Sequence, residues 1–144
     1  MNGLRRPSTV ADVVKLDLPR HVRDDGVLVV AEGLKHVPFA VARLFTVEAP
    51  LGAVRGRHAH WRCSQFMICV YGAIEFLVDD GAVHKAFVLE HGHEALYVPP
   101  LLWQSLTFRA PKAVLVGICD RPYEEDDYIR DYDAFLDARR RTSA

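Results

Sequence analysis

Gly52 to Gly72 reads GAVRGRHAHWRCSQFMICVYG, and two features of this stretch decide the fold. After Gln65 comes an apolar run, Phe66 to Tyr71, with the length and the Val, Ile and aromatic content of a β-strand. Before it stand His58 and His60, two residues apart. In an extended chain residues i and i+2 share a face, so both imidazoles point the same way. Burying two imidazoles on an apolar face is costly, so the pair reads as the lining of a cavity rather than core filler.

Working outward, similar short apolar runs recur with turn residues between them. DDGVLVVAEG (24–33) gives a turn and then a strand, and FAVARLFTVEA (39–49) a second strand with Arg43 set in an apolar row. SQFMICVYG and AIEFLVDDG follow, joined at Tyr71-Gly72. Asp80-Gly81 is a hairpin signal leading into AVHKAFVLEHGH. EALYVPPLLWQSLTF holds two strands around Pro99-Pro100, and AVLVGICD is the last clear one. Eight or more short strands at regular spacing predict an all-β sandwich or barrel, not an α/β sheet. The tail, YEEDDYIRDYDAFLDARRRTSA (123–144), differs. Tyr128, Ile129, Tyr132, Phe135 and Leu136 recur at helical spacing, acids come first and bases last as the helix dipole favours, and a helix is predicted over about 124–140. With no repeat or linker, the whole of 1–144 reads as one domain with a core over about 23–120.

The 144 residues are 50% hydrophobic and 26% charged, with a formal net charge of −1, which gives no general attraction to nucleic acid. Fourteen of the 18 basic residues are Arg, the side chain suited to bidentate grip on phosphate or carboxylate, a bias that GC-rich codon usage also produces. Three cysteines, Cys63, Cys69 and Cys119, have no CxxC spacing, and an odd number reads as reduced thiols. There is no apolar run of signal-peptide or membrane-span length, so a cytoplasmic protein without membrane contact is predicted. Cys63 reads as a buried inert thiol. His21, His36, His84, His91 and His93 read as surface or loop histidines.

All-β patterning with His-x-His resembles the cupins, which implies a jelly roll, or double-stranded β-helix. Metal-binding cupins carry Gly, five residues, His-x-His, three or four residues, Glu, six residues and Gly, then a further His after a Pro-rich turn. Gly52, His58, His60 and Gly72 are in register with that frame. Gln65 stands where the Glu belongs, and Gln104, after Pro99 to Trp103, where the last His belongs. Neutral amides are poor ligands for a divalent metal, and two histidines alone hold one weakly, so no metal is expected.

RGRHAHWRCSQF with VYGAIEFLVDDG, ALYVPPLLW and YEEDDYIRDYDAFL resembles the sugar-nucleotide 3,4-ketoisomerases, over roughly residues 23 to 137. The resemblance implies a homodimer of jelly-roll subunits with no cofactor and a dTDP-linked 4-keto-6-deoxyhexose as substrate. It also implies a 3-keto product, later transaminated by a partner aminotransferase in deoxyaminosugar biosynthesis. The family's histidines fall on His58 and His60. Moving a carbonyl from C4 to C3 passes through an enediol, so a base must take the C3 proton and a proton must reach C4; histidine suits both tasks. His60 is expected as the main base and His58 as its partner. Arg43 and Arg55 match family arginines and are assigned to the pyrophosphate. A diphosphate would pair the charge of Arg43, as would a buried acid. Gln65 is assigned to a sugar oxygen, and Tyr97 and Trp103 to walling the sugar or stacking on thymine, unless they are plain core aromatics.

This chain departs from the family at Gln104, where a His is usual after the Trp, at Phe45 and Thr46, where a Tyr is common, and at Trp61, usually Lys. Gln104 orients a carbonyl but does not titrate. Four functions stay open: a metal-independent isomerase working with His58 and His60 alone, an epimerase of nucleotide-linked keto sugars, a non-catalytic sugar-nucleotide-binding cupin, and a metal-dependent cupin.

Overall fold

The computed structural model describes residues 6–143. Its strands are β1 (Val14–Asp17), β2 (Arg20–Arg23), β3 (Gly26–Val29), β4 (Arg43–Pro50), β5 (Val54–His60), β6 (Gln65–Tyr71), β7 (Ala73–Asp79), β8 (His84–Glu90), β9 (Glu94–Val98), β10 (Trp103–Phe108), β11 (Lys112–Cys119) and β12 (Tyr128–Ile129), followed by helix α1 (Tyr132–Ser143). One five-stranded sheet runs β1-β9-β6-β11-β4 and a second runs β12-β5-β10-β7-β8, while β2 and β3 form a separate hairpin. Every pairing within these sheets is antiparallel.

Burial patterns explain why each strand lies where it does. In β7, Ile74, Phe76 and Val78 are buried while Glu75 and Leu77 turn outward, the alternation of a sheet with one wet face. In β6 the run from Gln65 to Cys69 is buried throughout. Met67 and Cys69 join Ile74, Phe76, Leu96, Phe108 and Leu115 in the core between the sheets. Phe66 and Ile68 face the other way, into a second cluster with Leu18, Val37 and Ile118. The first sheet is therefore covered on both faces at β6, which is why its sequence lacks polar alternation. Full burial of a side chain such as Phe76 or Phe108 stabilises the fold by about 1.5–3 kcal/mol.

The Asp80-Gly81 turn read from sequence is present. Asp80 Oδ1 accepts from the backbone N–H groups of Ala82 and Val83, and β7 and β8 pair from Asp79↔His84 onward. Two boundaries need correcting. Pairing starts at Val14 rather than near 23, because β1 lies along β9. The helix starts at Tyr132, not 124. Tyr128 and Ile129, read at helical spacing, instead pair with His60 and Ala59 of β5. The helix begins only after Asp131, whose side chain accepts from Ala134 N at 2.9 Å, an N-cap bond. Its Phe135 and Ala138 then pack with Ala59, Leu101 and Ile129.

Gly72, between β6 and β7, has φ 78°, and a Cβ there would lie 2.4 Å from the carbonyl oxygen of Lys112. Gly72→Ala is expected to cost about 2 kcal/mol or more, from left-handed strain plus the backbone clash, read as a lower urea midpoint at unchanged slope.

Candidate active site

Between the sheets lies a cavity of about 310 Å³. The first sheet contributes Arg43, Phe45 and Gln65 to its wall, and the second contributes Arg55, His58 and Gln104, with Tyr123 and Tyr128 from the tail. Strand register places these groups. Arg43, Cys119 and Gln65 are neighbours across β4, β11 and β6. Opposite them, Gln104 of β10 pairs with His58 of β5. The register of β5 against β10 shifts between Gln104 and Ser105, with Gly56 at φ 82° and Arg57 at φ 58°. That is a β-bulge, which re-aims the next side chain, here His58. A Cβ on Gly56 would meet the Gln104 carbonyl oxygen at 3.0 Å and Leu106 at 3.1 Å, so the glycine before Arg57 is part of how His58 is aimed.

His60 is only 2% exposed. Its Nδ1 lies 3.1 Å from Asp127 Oδ2. Asp127 is itself buried and accepts from Arg62 N at 2.7 Å and Cys63 N at 3.2 Å. A carboxylate accepts only, so Nδ1 carries the proton and Nε2 keeps a bare lone pair. That Nε2 is buried with no partner. The His58 ring stands edge-on to His60, with centroids 5.0 Å apart, and the Tyr128 ring lies 4.4 Å away. Burial, with the nearby His58 and Arg43, pushes His60 down to about 4 against the opposing pull of Asp127. Burial also lowers His58, reinforced by Arg130. Both are thus neutral at pH 7 and able to accept a proton.

Arg43 has no carboxylate within salt-bridge distance among the described residues. It donates to Cys119 Sγ at 3.4 Å and lies over the Tyr123 ring at 5.6 Å, and its Nε is buried and unpartnered. The alternative of a buried acid beside Arg43 therefore fails, and the guanidinium remains available to an anion in the cavity.

Five of the residues singled out in the sequence line the cavity: Arg43, Arg55, His58, Gln65 and Gln104. His60 sits behind the wall, against His58 and Tyr128. Tyr97 and Trp103, expected to wall the sugar or stack on thymine, are elsewhere. Tyr97 alternates with the buried Leu96 and Val98 and so turns to the outer cluster, near Phe39. Trp103 packs on the helix, 5.3 Å from Tyr132 and 5.7 Å from Phe135. Asp127, Tyr123, Tyr128 and Cys119 were missed. Asp127 lay within an acidic run that looked like a helix start; the β-type pair Tyr128-Ile129 directly after it was the available signal.

His60, Cys63 and Asp127 place one ligand atom each within 4.8 Å of one another. Both Asp127 oxygens already accept N–H groups, and Cys119 and burial hold the Cys63 thiol well above its usual range, in its protonated form. Gln65 and Gln104, in the two substituted ligand positions, hydrogen-bond to each other at 2.6 Å. Neutral amides are weak ligands for a divalent ion.

The family model described as FdtA: WxcM-like, C-terminal matches residues 11–140. The TDP-4-oxo-6-deoxy-alpha-D-glucose-3,4-oxoisomerase of Aneurinibacillus thermoaerophilus is 32% identical over 111 residues, covering 76% of this chain and 80% of that protein. The structure is similar to QdtA, a sugar 3,4-ketoisomerase from Thermoanaerobacterium thermosaccharolyticum solved with TDP, at TM-score 0.86 and 26% identity over 92% of this chain and 97% of the other. A 3,4-ketoisomerase from Helicobacter canadensis superposes at 0.85 with 28% identity, over 90% and 98%. Fold and site together thus define an isomerase of the sugar 3,4-ketoisomerase type. Within that class, the chain belongs to the FdtA-like family of WxcM C-terminal domains.

Because His60 and His58 are lowered in the folded protein, the unfolded chain binds more protons below pH 6.5. Their stabilising contribution is present above that pH and is lost as pH falls towards 4. For His60 the loss approaches about 3 kcal/mol. Urea midpoints of the wild type are expected to fall between pH 7 and 4.5 more steeply than those of His60→Gln; parallel curves would refute the buried neutral imidazole.

Proposed function

We propose that this protein moves the keto group of a TDP-4-keto-6-deoxyhexose from C4 to C3 by histidine acid/base catalysis, without a metal, in a jelly roll of the cupin type. The observation that carries this is the unpartnered Nε2 of His60, its tautomer held by Asp127. Arg43 and Arg55 bind the diphosphate and so place the sugar beside His58 and His60. Nε2 takes the proton from C3, and the C3–H electron pair becomes the C3–C4 double bond of an enediol as the C4 oxygen gains a proton. Return of a proton to C4, with loss of the O3 proton, gives the 3-keto product. For the sugar to reach Nε2, the rings of His58 and Tyr128 must give way, and Tyr128 sits on a strand of only two residues. Such a product is a substrate for transamination at C3 by a separate aminotransferase.

A homodimer is part of the same proposal. The β2–β3 hairpin leaves Val22, Val27 and Leu28 between 57% and 61% exposed, an apolar ridge suited to a second copy. No helix among the described residues is long and apolar enough to cross a membrane.

The decisive experiment is proton NMR of protein and TDP-4-keto-6-deoxyglucose in D2O with chelator. A 3-keto product carrying deuterium at C4 is expected; unchanged sugar signals would sink the proposal, and exchange without a new product would favour an epimerising site. His60→Asn is expected to lower turnover about 1,000-fold with TDP binding retained. If His58→Asn has that effect and His60→Asn does not, the base is His58, the histidine on the cavity wall. Asp127→Asn, which frees the His60 tautomer, is expected to cost about 100-fold or more in kcat at little change in KM.

A further inference from the structure

Arg43, Cys119, Gln65 and Gln104 form a line of hydrogen bonds across the cavity wall. An Arg43 terminal nitrogen donates to Cys119 Sγ at 3.4 Å, Gln65 Nε2 reaches the same sulfur at 3.9 Å, and Gln104 Nε2 donates to Gln65 Oε1 at 2.6 Å. Cys119, Gln65 and Gln104 are all buried. At the far end, Gln104 Oε1 is buried without a partner in a residue that lines the cavity.

This line has a direction. A guanidinium has donors only, so the sulfur beside Arg43 must accept. Cys63, Arg43 and Gln65 draw the Cys119 thiol below its usual range against the effect of burial, in keeping with a sulfur that accepts from Arg43 and Gln65. An accepting sulfur calls for the NH2 end of the Gln65 amide. The Gln65 oxygen then faces Gln104, which answers with its own NH2, so the Gln104 oxygen is left over. A buried acceptor needs a donor. On a sugar nucleotide the diphosphate and the keto oxygen only accept; with the hexose beside His58, as proposed above, the donors that face Gln104, the cross-strand partner of His58, are hexose hydroxyls.

Resting on the sugar-nucleotide function proposed above, we infer that Gln104 Oε1 recognises a hydroxyl of the substrate sugar, and that Cys119 is a positioning residue whose sulfur, held by Arg43, sets the polarity of the Gln65–Gln104 pair. Cys119 thereby links the arginine assigned to the diphosphate to the amide that reads the sugar.

The test compares calorimetric affinities for TDP and for TDP-6-deoxyglucose, which keeps sugar hydroxyls and has no keto group to react. The wild type is expected to prefer the sugar nucleotide. Gln104→Leu and Cys119→Ala are each expected to reduce that preference about tenfold, the cost of an unmade or misdirected buried hydrogen bond. In Cys119→Ala the Gln65 amide is free to turn over. Adding Gln65→Glu to Cys119→Ala supplies a group that only accepts from Gln104, and the preference is expected to return to within about threefold of wild type. A purely packing role for Cys119 predicts no such rescue. Unchanged preference in the single variants, or no recovery in the double variant, overturns the inference while leaving the isomerase proposal standing. A wild type that binds neither nucleotide overturns both. Thermal melts run alongside, and Gln104→Leu, close in volume, carries the test if Cys119→Ala melts early.

Discussion

One carboxylate holds the site together. Asp127 takes hydrogen bonds from the backbone at Arg62 and Cys63 and from His60 Nδ1. The first two pin the turn between β5 and β6; the third gives the imidazole one tautomer. The backbone of the same residue accepts from Trp61 N, and the next two residues complete the edge of the second sheet. The interaction that joins the tail to the sheet is therefore also the one that fixes the His60 tautomer. A buried anion is tolerable because every N–H around it is turned inward.

The wall facing His60 follows a different rule. Half-burying Arg43, with its Nε enclosed and no carboxylate beside it, is costly, and the described neighbours offset it only in part, with a sulfur and the face of Tyr123. Placing such a charge beside an open cavity leaves it a partner to find in the ligand. Burial lowers both histidines towards the neutral form, so a cation and two uncharged imidazoles share one small space.

Much of this was legible in residues 52–72. Alternation in AIEFLVD and the unbroken apolar run of FMICV distinguish a half-wet strand from a doubly covered one, and both behave so in three dimensions. Gly52, His58, His60 and Gly72 fixed the frame, and Arg43 was conspicuous as a charge in an apolar row. Three things were not legible. Tyr128 and Ile129 satisfy helical spacing as well as strand pairing, and only the partner edge at Ala59–His60 decides between them. Trp103 and Tyr97 are aromatic in both roles considered, and which face of a strand they occupy depends on bulges and on outer clusters far away in sequence. Cys119 carries no local signal; its place beside Arg43 is a matter of cross-strand register.

The tail has one further consequence. Asp127, Tyr128 and the capped helix behind them lie in the last 18 residues. The core cluster between the two main sheets and the one outside the first sheet draw nothing from this segment, but the His60 imidazole takes its tautomer from it. A chain cut before Asp127 would keep β1 to β11 but lose the carboxylate that orients the His60 imidazole.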